Sequence, residues 1–273
     1  MSQGTYEVHR KEGYTPMTSV KPQEYVSVEE VFALLDQQIE SVPVDNNRFY
    51  DSFRARDLNK DELQFFADQY FYYIRTFPQI LAGLSHRVES EAVRVELAKT
   101  IVSELGDGLP GKKHFELFQK VMRAVGIEVS DIHEVKHTPE SEALVQGLRQ
   151  IFLKDPPIVA IGGHYTIEKV GLGMIHNLYE AFRRYPTITV EDMEYFYLHL
   201  FIEADHVAWI SEAVKQHIDD PSSRQQLEEG ALRVAKLLAD FWEGLYQNIF
   251  VKSVPLPQPQ LVANNPVAVN ANQ

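Results

Sequence analysis

Residues 158–185 read IVAIGGHYTIEKVGLGMIHNLYEAFRRY. Two prolines, Pro156 and Pro157, stand just before the stretch and suit the first turn of a helix. Its length is well beyond that of an ordinary strand, and it shows no two-residue alternation. It reads as a long helix that is apolar on nearly every side, and such a helix belongs inside a protein. Within it stands Glu168, an ionisable group in apolar company that needs an explanation. It is read as a metal ligand, as one half of a buried pair with Lys169, or as a rim residue. His164, one turn earlier, is either a further ligand or a satisfied core histidine.

Working outward, the neighbouring segments are also helical. Downstream, Val190-Glu191 leads into DMEYFYLHLFIEADHVAWISEAVKQH, and Ser222 starts SRQQLEEGALRVAKLLADFWEGLYQNIF. Upstream, Pro139 opens ESEALVQGLRQIFLK, and KKHFELFQKVMRAVG precedes it. Ser90 caps EAVRVELAKTIVSELG, whose Val93, Leu97, Ile101 and Leu105 recur at helical spacing. Asp61 opens ELQFFADQYFYYIRTF, and Pro78 is expected to bend it or restart it as a new helix. NNRFYDSFRAR forms a short helix, and Ser27 with Glu30 makes a capping box before VEEVFALLDQQI. No alternating strand and no Asn-Gly hairpin turn is found. The fold class is therefore all-α, a single bundle of about seven core helices over 27–252. Residues 1–26 read as a flexible arm. The charge-free, Pro- and Asn-rich 253–273 reads as an extended tail.

The downstream helix carries His199-Leu-Phe-Ile-Glu203-Ala-Asp-His206. At 100° per residue, Glu203 lies about 40° from His199 and His206 about 20° from it on the other side. All three share one stripe beside Phe196, Ile202 and Trp209, while Asp205 points away. Two imidazoles and a carboxylate on an apolar edge suit a divalent transition metal, which would offset the cost of burying them. A solvated polar face is the plainer alternative. Glu104 ends one helix and His114 begins the next, with Gly106, Gly108, Pro110 and Gly111 between them. They form either a ligand pair across a glycine-rich break or a simple turn, and Asp107 competes with Glu104 for the carboxylate role.

Composition narrows the chemistry further. The chain has 273 residues, 44% apolar and 24% charged, with no cysteine. That excludes disulfides, thiolate catalysis and iron–sulfur clusters, so any metal must sit on His and carboxylates. A net charge of −13 argues against a nucleic-acid or anionic-membrane partner. No run is long and apolar enough to span a membrane, and no leader segment is read at the N-terminus. A cytoplasmic enzyme with a small-molecule substrate is expected, and a homodimer is compatible with the sequence. Three His and three Glu on separated helices suit two Fe(II) or Mn(II) ions. The expected pocket lining is Phe77, Leu81, Leu172, Met174 and Phe196, with Arg75 and Lys169 as partners for a substrate carboxylate. The Tyr70, Tyr72, Tyr73 and Phe77 cluster is read as packing.

From Asn46 to Phe250 the chain resembles the heme-oxygenase-like diiron oxidases, and within them the CADD-like branch. The resemblance rests on NRFYDSFRARDLNKDELQFFADQYFYYIRTFPQILAGLSHR, on Glu104 with its following His, on Glu168, and on His199, Glu203 and His206. It implies a seven-helix fold without haem and the metal ligands Glu104, His114, Glu168, His199, Glu203 and His206. It also implies two Fe(II)/Fe(III) ions, or an iron–manganese pair, with O2 as cosubstrate. The implied reactions are desaturation, hydroxylation, oxidative C–C cleavage or N-oxygenation of small amino or fatty acids. CADD-type members make 4-aminobenzoate by consuming one of their own tyrosines. Tyr50 aligns with that residue, while Asn177 stands where their partner lysine would be. A non-catalytic binding module on the same fold is the remaining alternative.

Overall fold

The computed structural model describes residues 27–215, 218 and 220–252, without the side chains of 201–209. It is all α-helical there. The helices are α1 (Val28–Ser41), α2 (Arg48–Ala55), α3 (Lys60–Arg87), α4 (Glu91–Glu104), α5 (His114–Ala124), α6 (Pro139–Leu153), α7 (Pro157–Phe182), α8 (Glu194–Val214) and α9 (Pro221–Tyr246). α2 and α5, both read as helical from the sequence, are the two shortest; the other seven form the expected bundle of about seven core helices. A π-helical turn, Gln247–Val251, extends α9. The expected arm 1–26 and tail 253–273 lie outside the described residues.

Helix starts follow local chemistry. Ser27 Oγ accepts from the Glu30 amide at 3.2 Å, and Glu30 accepts from the Ser27 amide at 2.9 Å. α3 begins one step earlier than Asp61. Asn59 accepts from the amides of Asp61 and Glu62, and Glu62 returns a bond to the Asn59 amide. Pro78 does not restart the helix, and α3 runs through it as one element. An interior proline costs about 3 kcal/mol. The burial of Phe77, Ile80, Leu81 and Leu84 around it outweighs that.

α7 is the central helix, with eighteen of its residues buried, and it packs along both α9 and α8. Two glycines permit the closest of these approaches. A Cβ on Gly162 would lie 1.9 Å from the Leu227 carbonyl oxygen of α9, and one on Gly230 would lie 1.7 Å from the Val159 oxygen of α7. At one end an aromatic cluster closes on Trp242, whose ring centroid lies 4.6 Å from that of Tyr50 and 5.3 Å from that of Phe49. Next to it α3, α4, α5, α7 and α8 surround a small cavity, and Tyr70 and Met174 on the cavity wall also touch Trp242. None of the described helices is long and apolar enough to cross a membrane.

Candidate metal centre

Glu104 is the last residue of α4 and His114 the first of α5. Between them Gly106, Asp107 and Gly108 form a 3-10 turn, all three with positive φ. Gly106 has to be glycine here, since a Cβ would lie 2.4 Å from the Lys112 carbonyl carbon. The turn folds the chain back on itself, so His114 Nδ1 comes within 3.2 Å of Glu104 Oε2. Asp107, the competing carboxylate, is exposed.

α8 brings in His199, 6% exposed, with its ring 4.4 Å from that of His114. His199 Nδ1 lies 2.6 Å from the Tyr195 carbonyl oxygen one turn earlier. A carbonyl can only accept, so Nδ1 carries the proton and Nε2 is the basic nitrogen. One ligand atom from each of Glu104, His114 and His199 falls within 4.8 Å of the others. Glu168, 5% exposed, faces the same cavity from α7 but lies outside that tight group. The cavity encloses about 50 Å³ and is walled by Ile74, Phe77, Ile167, Met174, Ile175 and Tyr195. Glu203 and His206 stand on α8 four and seven residues after His199, and their side chains lie outside the described residues.

The arrangement fits a metal on two grounds. His114 is 4% exposed, and neither of its ring nitrogens has an aligned hydrogen-bond partner. The Glu104 carboxylate approaches Nδ1 at 3.2 Å without forming an aligned bond. Leaving such a group unsatisfied costs about 1–3 kcal/mol, which a cation between the imidazoles and the carboxylate removes. The donors are imidazole and carboxylate without thiolate, as iron and manganese prefer. Burial alone would lower the His114 pKa. The Glu104 carboxylate, with Glu168 and Asp107 farther off, more than reverses this and raises it above the usual histidine value.

Several expectations about the surroundings are corrected. Phe77 and Met174 line the cavity, but Leu81 and Phe196 are packed in the core away from it. Leu172 is 40% exposed and lines a separate groove with Lys169 and His176. Lys169 pairs with Asp36 at 2.8 Å rather than with Glu168. Arg75 sits over the Phe115 ring in another groove. Neither cation therefore lines this cavity. Tyr70, read from the sequence as packing, and Tyr195, which the sequence did not single out, meet through their hydroxyls at 2.9 Å on the cavity wall. The signal for Tyr195 was its place one turn before His199. Tyr50 is buried and outside the cavity lining, and its hydroxyl has no hydrogen-bond partner among the described residues. Burial raises its pKa well above the usual phenol value. Asn177 is fully engaged, accepting from Arg54 and donating to the carbonyls of Asp45 and Gly173.

Comparison with known proteins gives this geometry a context. Over 198 residues the chain is 20% identical to 4-chloro-allylglycine synthase of Streptantibioticus cattleyicolor, covering 72% of this chain and 75% of that one. It is 24% identical over 179 residues to 4-aminobenzoate synthase of Chlamydia pneumoniae, covering 64% and 77%. It is 21% identical over 224 residues to the Nitrosomonas europaea protein of the same name, covering 78% and 90%. The fold is that of a CADD-like protein of unknown function from Nostoc punctiforme, with a TM-score of 0.69 at 16% identity, covering 81% of this chain and 98% of that one. A Shewanella denitrificans domain described as having a heme oxygenase-like fold superposes at a TM-score of 0.66 and 15% identity, covering 82% and 94%. The family model described as iron-containing redox enzyme matches residues 64–239, and the chain belongs to that family.

Proposed function

We propose that this member of the iron-containing redox enzyme family is an O2-dependent dinuclear non-haem iron oxidase acting on a small substrate of amino-acid or fatty-acid type. The observation that carries the reading is the buried convergence of Glu104, His114 and His199 from three helices, with Glu168 facing the same cavity. Glu203 and His206 complete the proposed ligand set by their register on α8. When bound, the iron ions supply the electrons and open coordination positions that ground-state O2 requires.

The chain's own contribution is geometric and electrostatic. Glu104 and Glu168 place negative charge where two cations would sit. The Tyr195 carbonyl holds His199 in the tautomer whose Nε2 can donate a lone pair. His114 must be deprotonated to act as a ligand, so its raised pKa sets the acid limit of loading. Ile74, Phe77, Ile167, Met174 and Ile175 keep the cavity dry, which protects reactive species from bulk water. The Tyr70 and Tyr195 hydroxyls are hydrogen-bonded to each other in the wall.

The one relative named 4-chloro-allylglycine synthase supports an amino-acid-type substrate. A second reading, self-consuming 4-aminobenzoate synthesis, is favoured by the buried Tyr50 and by the relatives of that name. It lacks the partner lysine of CADD-type members, in whose place Asn177 stands and makes three hydrogen bonds. The test is to load the protein anaerobically with Fe(II), admit O2, and follow oxygen uptake against a panel of amino and fatty acids. Substrate-dependent uptake over many turnovers is expected. Uptake without added substrate, ending at one 4-aminobenzoate or fewer per chain, would favour the second reading. Absence of iron binding would favour a non-catalytic binding module.

A further inference from the structure

α4 is apolar on two faces. Its inner side, with Val93, Leu97 and Thr100 buried, packs on α3 and α8. On its outer side Val95 and Val102 are each 52% exposed, and Ala98 and Leu105 are exposed with them. Leu109, in the turn that follows, is 58% exposed. From Val95 the row runs to Ala98, Val102 and Leu105 in the alternating short and long steps of a heptad seam between two helices. A surface helix ordinarily turns polar residues outward, so an apolar row there marks an interaction face.

The charges around the row say which partner fits. Before Glu104, α4 sets Glu91 and Glu96 against Arg94 and Lys99, so it is neutral in a chain of net charge −13. Two copies repel least along such a face. Lys99 Nζ lies 2.9 Å from Glu96 Oε1. Arg94 and Asp107 are both exposed, and neither forms an ion pair among the described residues. A parallel pair of α4 helices would set Arg94 against Lys99 of the second copy, where heptad flanking positions meet. An antiparallel pair sets Val95 opposite Leu105 of the second copy and Ala98 opposite its Val102. Arg94 of each copy then stands beside Asp107 of the other. The two Lys99–Glu96 pairs meet at the axis with opposite charges alternating.

We propose that the outer face of α4 is the self-complementary interface of a homodimer, with two α4 helices packed antiparallel about a two-fold axis. α4 has 14 residues and offers a strip about 21 Å long and about 10 Å wide. That is well below the roughly 800 Å² per partner of a standard interface, so the dimer dissociates on dilution. Because α4 ends on Glu104, the pairing also braces the segment that carries this candidate ligand.

The test needs no metal, so its outcome is independent of the dinuclear reading. The full chain is sedimented over a range of concentrations, with helicity and Tm recorded for each variant. A concentration-dependent monomer–dimer equilibrium is expected. Val102→Glu puts a charge into the seam at a position open to solvent in the monomer, and should weaken the dimer at least about 10-fold with helicity unchanged. Arg94→Glu should weaken it about 3–10-fold. Tightening by Arg94→Glu would mean a parallel pair and would overturn the arrangement. The chain has no cysteine, so introduced thiols report contacts directly. Under oxidation, Ala98→Cys chains should cross-link to Val102→Cys chains more than either variant cross-links to itself, and the reverse result overturns the antiparallel register. A dimer left unchanged by Val102→Glu uses another surface, which overturns the proposal. So does a full chain that is monomeric at every concentration, whether residues 253–273 or a different protein then covers the face.

Discussion

At the scale of single residues, one buried and one half-buried group make opposite demands. The Tyr50 hydroxyl is enclosed without a hydrogen-bond partner among the described residues. An unsatisfied buried hydroxyl costs about 1–3 kcal/mol. Tyr50→Phe should therefore equal or exceed wild type in denaturant unfolding, and a loss above about 1 kcal/mol would show that the hydroxyl is satisfied in solution. If the oxidase reading holds, the same variant should also keep full substrate-dependent oxygen uptake. Asp68 is the contrasting case. It accepts from the Ser130 amide and from Gln64, each at 3.0 Å, fastening the segment before α6 to α3. Burial raises its pKa more than these bonds lower it. Its folded value thus lies above the unfolded one, and the folded state binds the proton more tightly between the two. Stability falls as pH rises through that window and is level above it. Asp68→Asn can keep both accepted bonds and has no charge to bury. Its Tm should match or exceed wild type at neutral pH, and the acid-side slope should flatten. A lower Tm at neutral pH with an unchanged slope would contradict this.

At the scale of elements, the sequence was most informative where chemistry is local. Ser27, Ser90 and the Glu104–His114 boundaries could be read because caps and glycine breaks act within a few residues. Of the two readings of Pro78, the restart fails because tertiary burial, which no local pattern records, holds α3 together across it. The cavity wall was only partly legible for the same reason. Leu81, Leu172 and Phe196 have the right apolar character, but their direction depends on neighbours far away in sequence. The resemblance motifs named the candidate ligands, whereas the hydroxyl contact of Tyr70 with Tyr195 emerged only in three dimensions. Packing of α7 on α9 offers the sharpest test at this scale. Gly162→Ala or Gly230→Ala would drive a methyl into backbone rather than into a flexible side chain. Overpacked cores lose about 1–3 kcal/mol where side chains can yield. Backbone cannot yield as readily, so each variant should lose at least about 3 kcal/mol in chemical denaturation. A loss under about 1 kcal/mol would mean that α7 and α9 sit farther apart than the structure places them.

For the whole molecule, a net charge of −13 is spread over a surface of mostly exposed ion pairs, which contribute little to stability. The apolar interior around α7 and the Trp242 aromatics holds the fold. The candidate centre is set into that interior at a cost, since buried imidazoles and carboxylates weaken a core unless something joins them. The fold class was legible because helical periodicity pervades the chain. The site was legible in its residue types, though not in its orientation, since convergence of α4, α5, α7 and α8 is a property of the assembled bundle. The most direct measurement is the number of Fe(II) ions bound per chain under anaerobic conditions, in wild type and in His114→Ala and His199→Ala. Two per wild-type chain is expected, falling by at least one in each variant while helicity is unchanged. Wild-type protein that binds none, or variants that still bind two, would contradict the metal centre at the heart of this account.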